Sequence, residues 1–530
     1  MHRLPSLQLF QNALKYKNRI AIVNYPHNNT QRFTYNDLLN ESAAISNQIT
    51  FKKDDLEQDR VSFLYPQSFD YVRTQWGIWR SGGVAVPLSI SHPPHELEYT
   101  ITNSKSSMVL TNKENYSMLA EIGRKVGVQV IEIPEIGNGS PNKEVQHKIM
   151  PFDINRNAQI IYTSGTTSRP KGVIATHSNI EAQVKALVEA WEWKKEDHIL
   201  EFLPLHHVHG LINILTCSLW SGAMCEMMPK FDSKQVIDRL LESGVTTDLE
   251  QPISLFMAVP TIYSKLIKYV EENVKTEKER QDIEKAFQRL RLMVSGSSAL
   301  PETVKNDFME ISGHNLLERY GMTEIGMCLS NPLHGDRVSG SVGFPLPGVQ
   351  VKINAEASST QNGKPVFKDN TKEVGELLVK GPQVFKEYFE KKEATQEAFE
   401  DGWFKTGDIV EKDNSTGRFK ILGRSSVDII KNSGYKISAL EIEREILDHP
   451  DIEECAVLGI PNEEYGQVIG AILVYKKGAE PMSYDDFKMW CQQRLAYYKV
   501  PKVIQVKEEI PKNAMLKVNK KDLVKLFTQN

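Results

Sequence analysis

Tyr162-Thr-Ser-Gly-Thr-Thr-Ser-Arg-Pro-Lys-Gly-Val173 carries the apolar run Gln159-Ile-Ile-Tyr162 into a hydroxyl- and glycine-rich loop that ends in a lysine. Small residues let backbone N–H groups and hydroxyls close around phosphate oxygens, and Lys171 adds a positive charge. The G-x-x-x-x-G-K-[ST] spacing of a Walker loop is missing, and a Gly/Ser/Thr loop taken alone is also an ordinary turn. Working outward, short apolar or β-branched runs alternate with helical stretches: Val61 to Tyr65, Gly83 to Pro87, Ser107 to Thr111, Gln129 to Ile133 and Leu292 to Ser295. That rhythm predicts layered α/β subdomains with parallel sheets.

From about Gly343 the texture changes to strands separated by Pro, Gly and polar turns, such as Val349 to Ile353 and Gly375 to Val379. A β-rich subdomain is expected over about 343–424, with an irregular surface insertion from Asn354 to Lys372. Past Gly423-Arg424 the order is helix (Ser438 to Leu447), strand (Glu454 to Gly459), strand (Val468 to Val474), helix (Ser483 to Leu495) and strand (Val503 to Val506). This is long enough to hold its own small core. The expected division is a large domain at 1–424 and a small, mobile α+β lid at 425–530.

The 530 residues, 40% hydrophobic and 25% charged, exclude a disordered or collagen-like chain. A net charge of −4 gives no global reason to bind nucleic acid or an anionic membrane, so any anion site is local. The five cysteines stand singly with no C-x-x-C pair, which argues against a disulfide framework or a zinc ribbon. The longest stretch without Asp, Glu, Lys or Arg, Phe202 to Cys225, is interrupted by Pro204 and three histidines, so it reads as buried core and no membrane span is expected. No acid precedes Asp37, faintly like a mitochondrial presequence. Leu9 to Leu14 and Arg19 to Val23 nevertheless read as helix then strand, and Thr34 to Asp37 as a helix cap, so the expected location is cytoplasmic with a mitochondrial alternative.

The phosphate-loop segment resembles the T-S-G-T-T-G-x-P-K-G motif of the adenylate-forming superfamily, which includes acyl-CoA synthetases, luciferases and peptide-synthetase adenylation domains. Further motifs follow in the order of that superfamily: Leu203-Pro-Leu-His-His-Val-His-Gly210, Ser295-Gly-Ser-Ser-Ala-Leu-Pro301, Glu318-Arg-Tyr-Gly-Met-Thr-Glu324, Gly402-Trp-Phe-Lys-Thr-Gly-Asp408, Gly423-Arg424 and Lys517. The resemblance implies an ATP site of Thr163, Ser164, Gly165, Thr166, Thr167, Ser168, Arg169, Pro170 and Lys171 in the loop. It adds Gly296, Ser297, Glu318, Arg319, Tyr320, Gly321, Met322, Thr323 and Lys517 to that ATP site, with Tyr320 and the Gly296–Ser297 backbone on either side of adenine and Asp408 and Arg424 on the ribose. It makes Glu324 the Mg²⁺ ligand, a hard oxygen beside phosphates. Without the motif Glu324 reads as a solvated acid and Asp408 as a turn residue.

Lys517 lies among Lys507, Lys512, Lys520, Lys521 and Lys525, a pattern that alone reads as a solvated basic face. The resemblance makes it the lysine that bridges the attacking carboxylate and the α-phosphate. Thr163, Glu324 and Lys517 are therefore the expected catalytic residues. A carboxylate is already a nucleophile at neutral pH, so no acid–base residue is required for that step. Three departures stand out: Ser168 and Leu516 replace glycines common in the superfamily, and the segment from Arg424 to Gly434 has one extra residue. The pivot is assigned to Ser425 through Asp428.

Ser433-Gly-Tyr-Lys436, ahead of Glu441-Ile-Glu443, resembles the turn lining the pantetheine tunnel of CoA ligases, which implies Ser433, Gly434 and Tyr435 for CoA. No carrier-protein domain follows, which favours a free-standing ligase. The blocks His206 to Leu211, Met257 to Tyr263, Arg291 to Pro301 and Leu317 to Met327 resemble malonyl-CoA synthetases. The expected substrates are therefore ATP, CoA and a small carboxylic acid, malonate with methylmalonate as second substrate. The acyl pocket is expected at His207, His209, Arg291 and Met327, with Arg291 gripping the second carboxylate. The bland alternative for Arg291 is an ion pair with a nearby acid; for His206, a core or cap residue. Competing functions are a ligase for short- or medium-chain fatty acids or aryl acids, an oxygen-dependent luciferase, and a catalytically silent nucleotide-binding scaffold suggested by Leu516.

Overall fold

The computed structural model describes residues 2–25, 30–51, 53–136, 146–163, 169–243, 251–355, 360–361, 364–365, 371–432, 435–462, 465–512 and 518–528. Two sheets form the large N-terminal part. One has seven strands, in spatial order Glu387–Tyr388, Lys171–Thr176, Asn157–Thr163, Val84–Pro87, Arg60–Leu64, Met108–Thr111 and Gln129–Glu132. The other has nine: Phe344–Pro345, Gly326–Ser330, Leu317–Met322, Leu292–Ser295, Leu255–Ala258, His198–Glu201, Met224–Met227, Ile20–Asn24 and Gln31–Thr34. In the nine-stranded sheet, the run from Leu317–Met322 to Ile20–Asn24 pairs in parallel. Its inner strands are buried on both faces, which is why they are unbroken apolar runs without alternation.

The helix Phe69–Arg80 is buried at every residue and touches strands of both sheets. Three of its polar side chains are satisfied by backbone: Trp79 Nε1 donates to Ala158 O at 2.8 Å, Tyr71 Oη to Leu205 O at 2.8 Å, and Arg80 Nη1 to Leu39 O at 2.7 Å. Near the N-terminus, helix Gln8–Lys15 and strand Ile20–Asn24 match expectation, and Thr34 and Asp37 form a reciprocal capping box. The charge-free stretch is core, with a π-helix over His209–Thr216. Among the described residues no helix is long and apolar enough to cross a membrane. All five cysteines are free thiols, four of them buried.

Strands Gln350–Asn354, Lys372–Lys380, Trp403–Asp413 and Phe419–Arg424 pair antiparallel in that order, which is the β-rich subdomain. The Asn354 to Lys372 insertion falls largely outside the described residues. Glu387–Tyr388 leaves the subdomain and pairs with Lys171–Thr176, tying the β-rich part to the phosphate-loop sheet.

The C-terminal part has its own five-stranded sheet and its own apolar clusters, one around Ile442, Val457, Leu473 and Phe487 and one around Leu458, Ile472 and Leu523. The strands Ile452–Asn462, Gly466–Tyr475 and Val503–Val506 and the helices Ala439–Leu447 and Tyr484–Gln492 agree with the sequence analysis. The hairpin Ile429–Asn432 with Tyr435–Ser438 and the helix Lys520–Thr528 add to it.

Candidate active site

In parallel sheets the carboxyl ends of strands leave backbone groups and loops free for a ligand. Thr163 ends such a strand, and Gly296, Thr323 and the Leu203–Gly210 segment follow strand ends. Thr163 is the last residue of its strand, sits opposite Lys171 in register, and donates from Oγ1 to Lys171 O at 3.4 Å. Arg169 lies over the Tyr99 ring at 5.6 Å, and Tyr99 Oη donates to Pro170 O at 2.8 Å, so the return of the loop is anchored. Lys171 Nζ stands 5.0 Å from the centroid of Tyr388. Ser164 to Ser168, Ser433, Gly434 and Lys517 lie outside the described residues, as does the side chain of Tyr435.

Glu324 is buried, and its Oε1 accepts from Tyr388 Oη at 2.9 Å. Burial pushes its carboxyl up, while the Tyr388 hydroxyl, Arg424 and Lys171 pull the other way. A buried carboxylate facing two cations and a phosphate-type loop is suited to a hard cation whose other ligands come from substrate phosphates. Among the described residues no cluster of three or more metal-ligating side chains exists.

Asp408 is the hub of a second cluster, with Tyr320 and Arg424. Its Oδ2 accepts from Tyr320 Oη at 2.5 Å and its Oδ1 from Arg424 Nε at 3.1 Å, across a β-pair in which Asp408 and Arg424 are direct partners. Burial raises the Asp408 carboxyl against the opposing Arg424 guanidinium and Tyr320 hydroxyl. A carboxylate so fixed can accept two hydroxyls of a sugar, with Tyr320 supplying a ring face beside it.

Arg319 alternates with Tyr320 and points to the other face of the strand Leu317–Met322. There its Nη2 donates to Ser297 Oγ at 3.4 Å, and Ser297 Oγ is 3.2 Å from His209 Nδ1. Arg319 is 4% exposed and its Nε has no hydrogen-bond partner. Burial pulls its pKa down to about 9. A desolvated guanidinium with donor capacity to spare is a site for an anion. Gly296 is what admits it: a Cβ there would stand 2.4 Å from Arg319 Nε. Gly321 pairs with Met327, which is buried and shares the Arg319 face. Met322 ends the strand, and Thr323 lines a small cavity with Gln159, Gln183 and Gln383.

Three sequence-level expectations require correction. Arg319, expected in the ATP site, turns away from the Tyr320–Asp408 face toward Ser297 and His209. Arg291 does not reach the acyl side. Its Nε and Nη2 bind Asp197 at 2.7 and 2.5 Å, and Nη1 and Nη2 donate to Trp191 O and Glu192 O at 2.9 and 3.0 Å. It precedes the strand Leu292–Ser295, so it lies at the amino end of the sheet, about 17 Å of extended chain from Gly296. Glu318 contributes its strand position, but its carboxylate belongs to Lys305 at 3.6 Å, and burial raises its pKa to about 7.

His209 stands in the cluster with Ser297 and Arg319. His207 opens the same turn, its ring 4.0 Å from that of His206, whose pKa burial lowers to about 3, so His206 is a neutral packing ring. Tyr388 was not singled out in the sequence; its partner Glu324 is 64 residues away and no local spacing signals the pair.

Comparisons with known proteins agree with this geometry. The AMP-binding enzyme family model matches residues 9–389, and the AMP-binding enzyme C-terminal domain model matches 441–517. Malonate–CoA ligase ACSF3, mitochondrial, of Mus musculus is 45% identical over 547 residues, covering 99% of this chain and 91% of the relative. Malonate–CoA ligase of Arabidopsis thaliana is 42% identical over 490 residues, covering 89% and 78%. Among solved structures, ATP-bound MatB from Rhodopseudomonas palustris superposes with a TM-score of 0.84 at 29% identity, covering 99% of each chain. The phosphate-loop hairpin, the Tyr320–Asp408–Arg424 hub and the buried Glu324 thus stand in a chain that belongs to the AMP-binding enzyme family.

Proposed function

We propose that the protein is an AMP-forming malonate–CoA ligase, joining malonate to CoA through an acyl adenylate at the expense of ATP. The observation that carries the substrate is Arg319: a buried, under-partnered guanidinium beside Ser297 and His209, on the opposite face of one strand from the Tyr320–Asp408–Arg424 hub. One carboxylate of a short diacid fits Arg319, which leaves the other free to meet the α-phosphate. Methylmalonate fits the same anchor, with Met327 as the neighbour of its methyl group. The names of relatives support the choice, as does a malonyl-CoA ligase product complex with methylmalonyl-CoA and AMP, which superposes with a TM-score of 0.62 at 29% identity.

In this account Asp408 and Arg424 hold the ribose, Tyr320 covers the adenine, and the loop from Thr163 to Lys171 holds the phosphates. Glu324 would hold Mg²⁺, which supplies charge neutralisation for the departing pyrophosphate. Lys517 steadies the charge that develops between the attacking carboxylate and the α-phosphorus. Ser433, Gly434 and Tyr435 guide CoA, whose thiol then displaces AMP. Residues 1–424 and 425–530 act as the two bodies of this cycle. Cytoplasmic residence is the proposal from sequence; the mitochondrial names of the mouse and human relatives favour the alternative.

The test is pyrophosphate release and thioester formation with malonate, methylmalonate, acetate, hexanoate and a cinnamate-type acid. Malonate is expected to lead, and Lys517→Ala to lose acid-dependent pyrophosphate release. A preferred monoacid would sink the substrate assignment; no acid-dependent release from the wild type would sink the enzyme assignment.

A further inference from the structure

Lys520 opens the helix Lys520–Thr528 and is buried. Its Nζ lies 2.7 Å from Asp428 Oδ1 and 2.7 Å from Glu443 Oε1. Burial works against the ammonium, but Glu443 and Asp428 together raise its pKa. Stability alone is a weak reason for such a cluster. A buried ion triad loses much of its Coulomb energy to desolvation, and apolar side chains of similar volume often serve a fold better. What the three charges connect is more telling.

Asp428 lies in the link between the strands Phe419–Arg424 and Ile429–Asn432. Its other oxygen, Oδ2, accepts the Arg424 N–H at 3.0 Å, and its own N–H donates to Arg424 O at 2.8 Å. Arg424 in turn is bound to Asp408, the hub of the nucleotide side. Glu443 stands on the helix Ala439–Leu447, and its Oε1 also accepts from Val457 N at 2.7 Å. Lys520 follows Lys517 by three residues. The chain on either side of Lys517 is fixed as well: Lys512 and Val518 form an antiparallel bridge, and Lys512 Nζ pairs with Glu454. One carboxylate, Asp428, therefore ties the Arg424 backbone to the root of the segment that carries Lys517.

We infer that the Asp428–Lys520 pair is a latch that holds the root of the Lys517 segment to the Arg424–Asp428 link, which makes Lys520 a positioning residue for the adenylation half-reaction. This rests on the assignment of Lys517 to adenylation above. When the link turns, the Oδ2 contact with the Arg424 N–H breaks while the Oδ1 contact with Lys520 travels with the lid. The root of the Lys517 segment then stays tied to the link throughout, and because Lys517 acts in adenylation alone, losing the tie is felt in that half-reaction.

The full-length enzyme tests this with two assays on Lys520→Met, Lys520→Arg and the wild type. One is acid-dependent ATP–pyrophosphate exchange; the other is thioester formation from supplied acyl adenylate and CoA. Lys520→Met is expected to slow exchange by roughly 30-fold or more and the thioester step by less than about threefold, with Lys520→Arg recovering to within about tenfold of wild type. Equal loss in both assays, or loss in neither, overturns the latch. If Lys520→Met fails to fold, Asp428→Asn leaves the Lys520–Glu443 pair in place and carries the same expectation and the same overturning results. Both assays use whichever acid the wild type adenylates, so an error about malonate strikes the substrate assignment and leaves the latch tested.

Discussion

Arg291 and Arg319 show how surroundings decide what an arginine does. Arg291 spends its donors on Asp197 and two carbonyls, so Arg291→Ala is expected to destabilise the fold by about 2–4 kcal/mol through the buried Asp197 it abandons. The ratio of malonate to acetate kcat/KM should stay unchanged; a selective loss of malonate would return Arg291 to the acyl pocket. His177 gives a second test at this scale. It packs edge-on to Trp79 and Phe152, and burial, with help from Arg156, lowers its pKa to about 3. Below pH 6.5 the unfolded chain takes up a proton that the folded chain refuses, so stability falls as the pH drops from 6.5 toward 3. Over pH 6.5 to 5 this one group removes about 2 kcal/mol. His177→Phe should flatten urea-measured stability across that window by a similar amount; an unchanged slope would mean that the folded protein accepts the proton.

At the scale of elements, the site is made where strands end. The strand Leu292–Ser295 delivers Gly296 and then Ser297, whose φ of +71° turns the chain beside Arg319. Gly296→Ala places a methyl group against the Arg319 guanidinium. It is expected to raise the malonate KM at least about tenfold, with a much smaller change for acetate. An equal change for both acids would show that Gly296 serves the adenine side instead. The strand ends were legible in the sequence because buried parallel strands are unbroken apolar runs and the motifs sit immediately after them. Alternation along Glu318-Arg-Tyr-Gly-Met322 assigned no faces by itself, because all of these residues stood in one nucleotide motif. The burial of Arg319 and its contact with Ser297 set its face of the strand apart from the Tyr320–Asp408 face. The Glu324–Tyr388 and Lys520–Asp428 pairs join residues 64 and 92 positions apart, which no spacing rule reaches.

At the scale of the molecule, the nine-stranded sheet supplies Tyr320 and the β-rich sheet supplies Asp408 and Arg424 to one hub, while the C-terminal part has apolar clusters of its own. The α/β layering, the β-rich subdomain and most lid elements were read from sequence, since each depends on local periodicity. The assignment of Arg291 failed because sequence order placed it near the acyl wall while the strand direction put it at the far end of the sheet. The central claim is that Arg319 recognises the second carboxylate. The most direct test is the ratio of kcat/KM for malonate to that for acetate in the wild type and in Arg319→Met. Losing a charged hydrogen bond is worth about 1.5–3 kcal/mol, so the ratio is expected to favour malonate in the wild type and to fall by roughly tenfold to a hundredfold in the variant. A ratio that stays the same, with both acids impaired equally, would contradict the account.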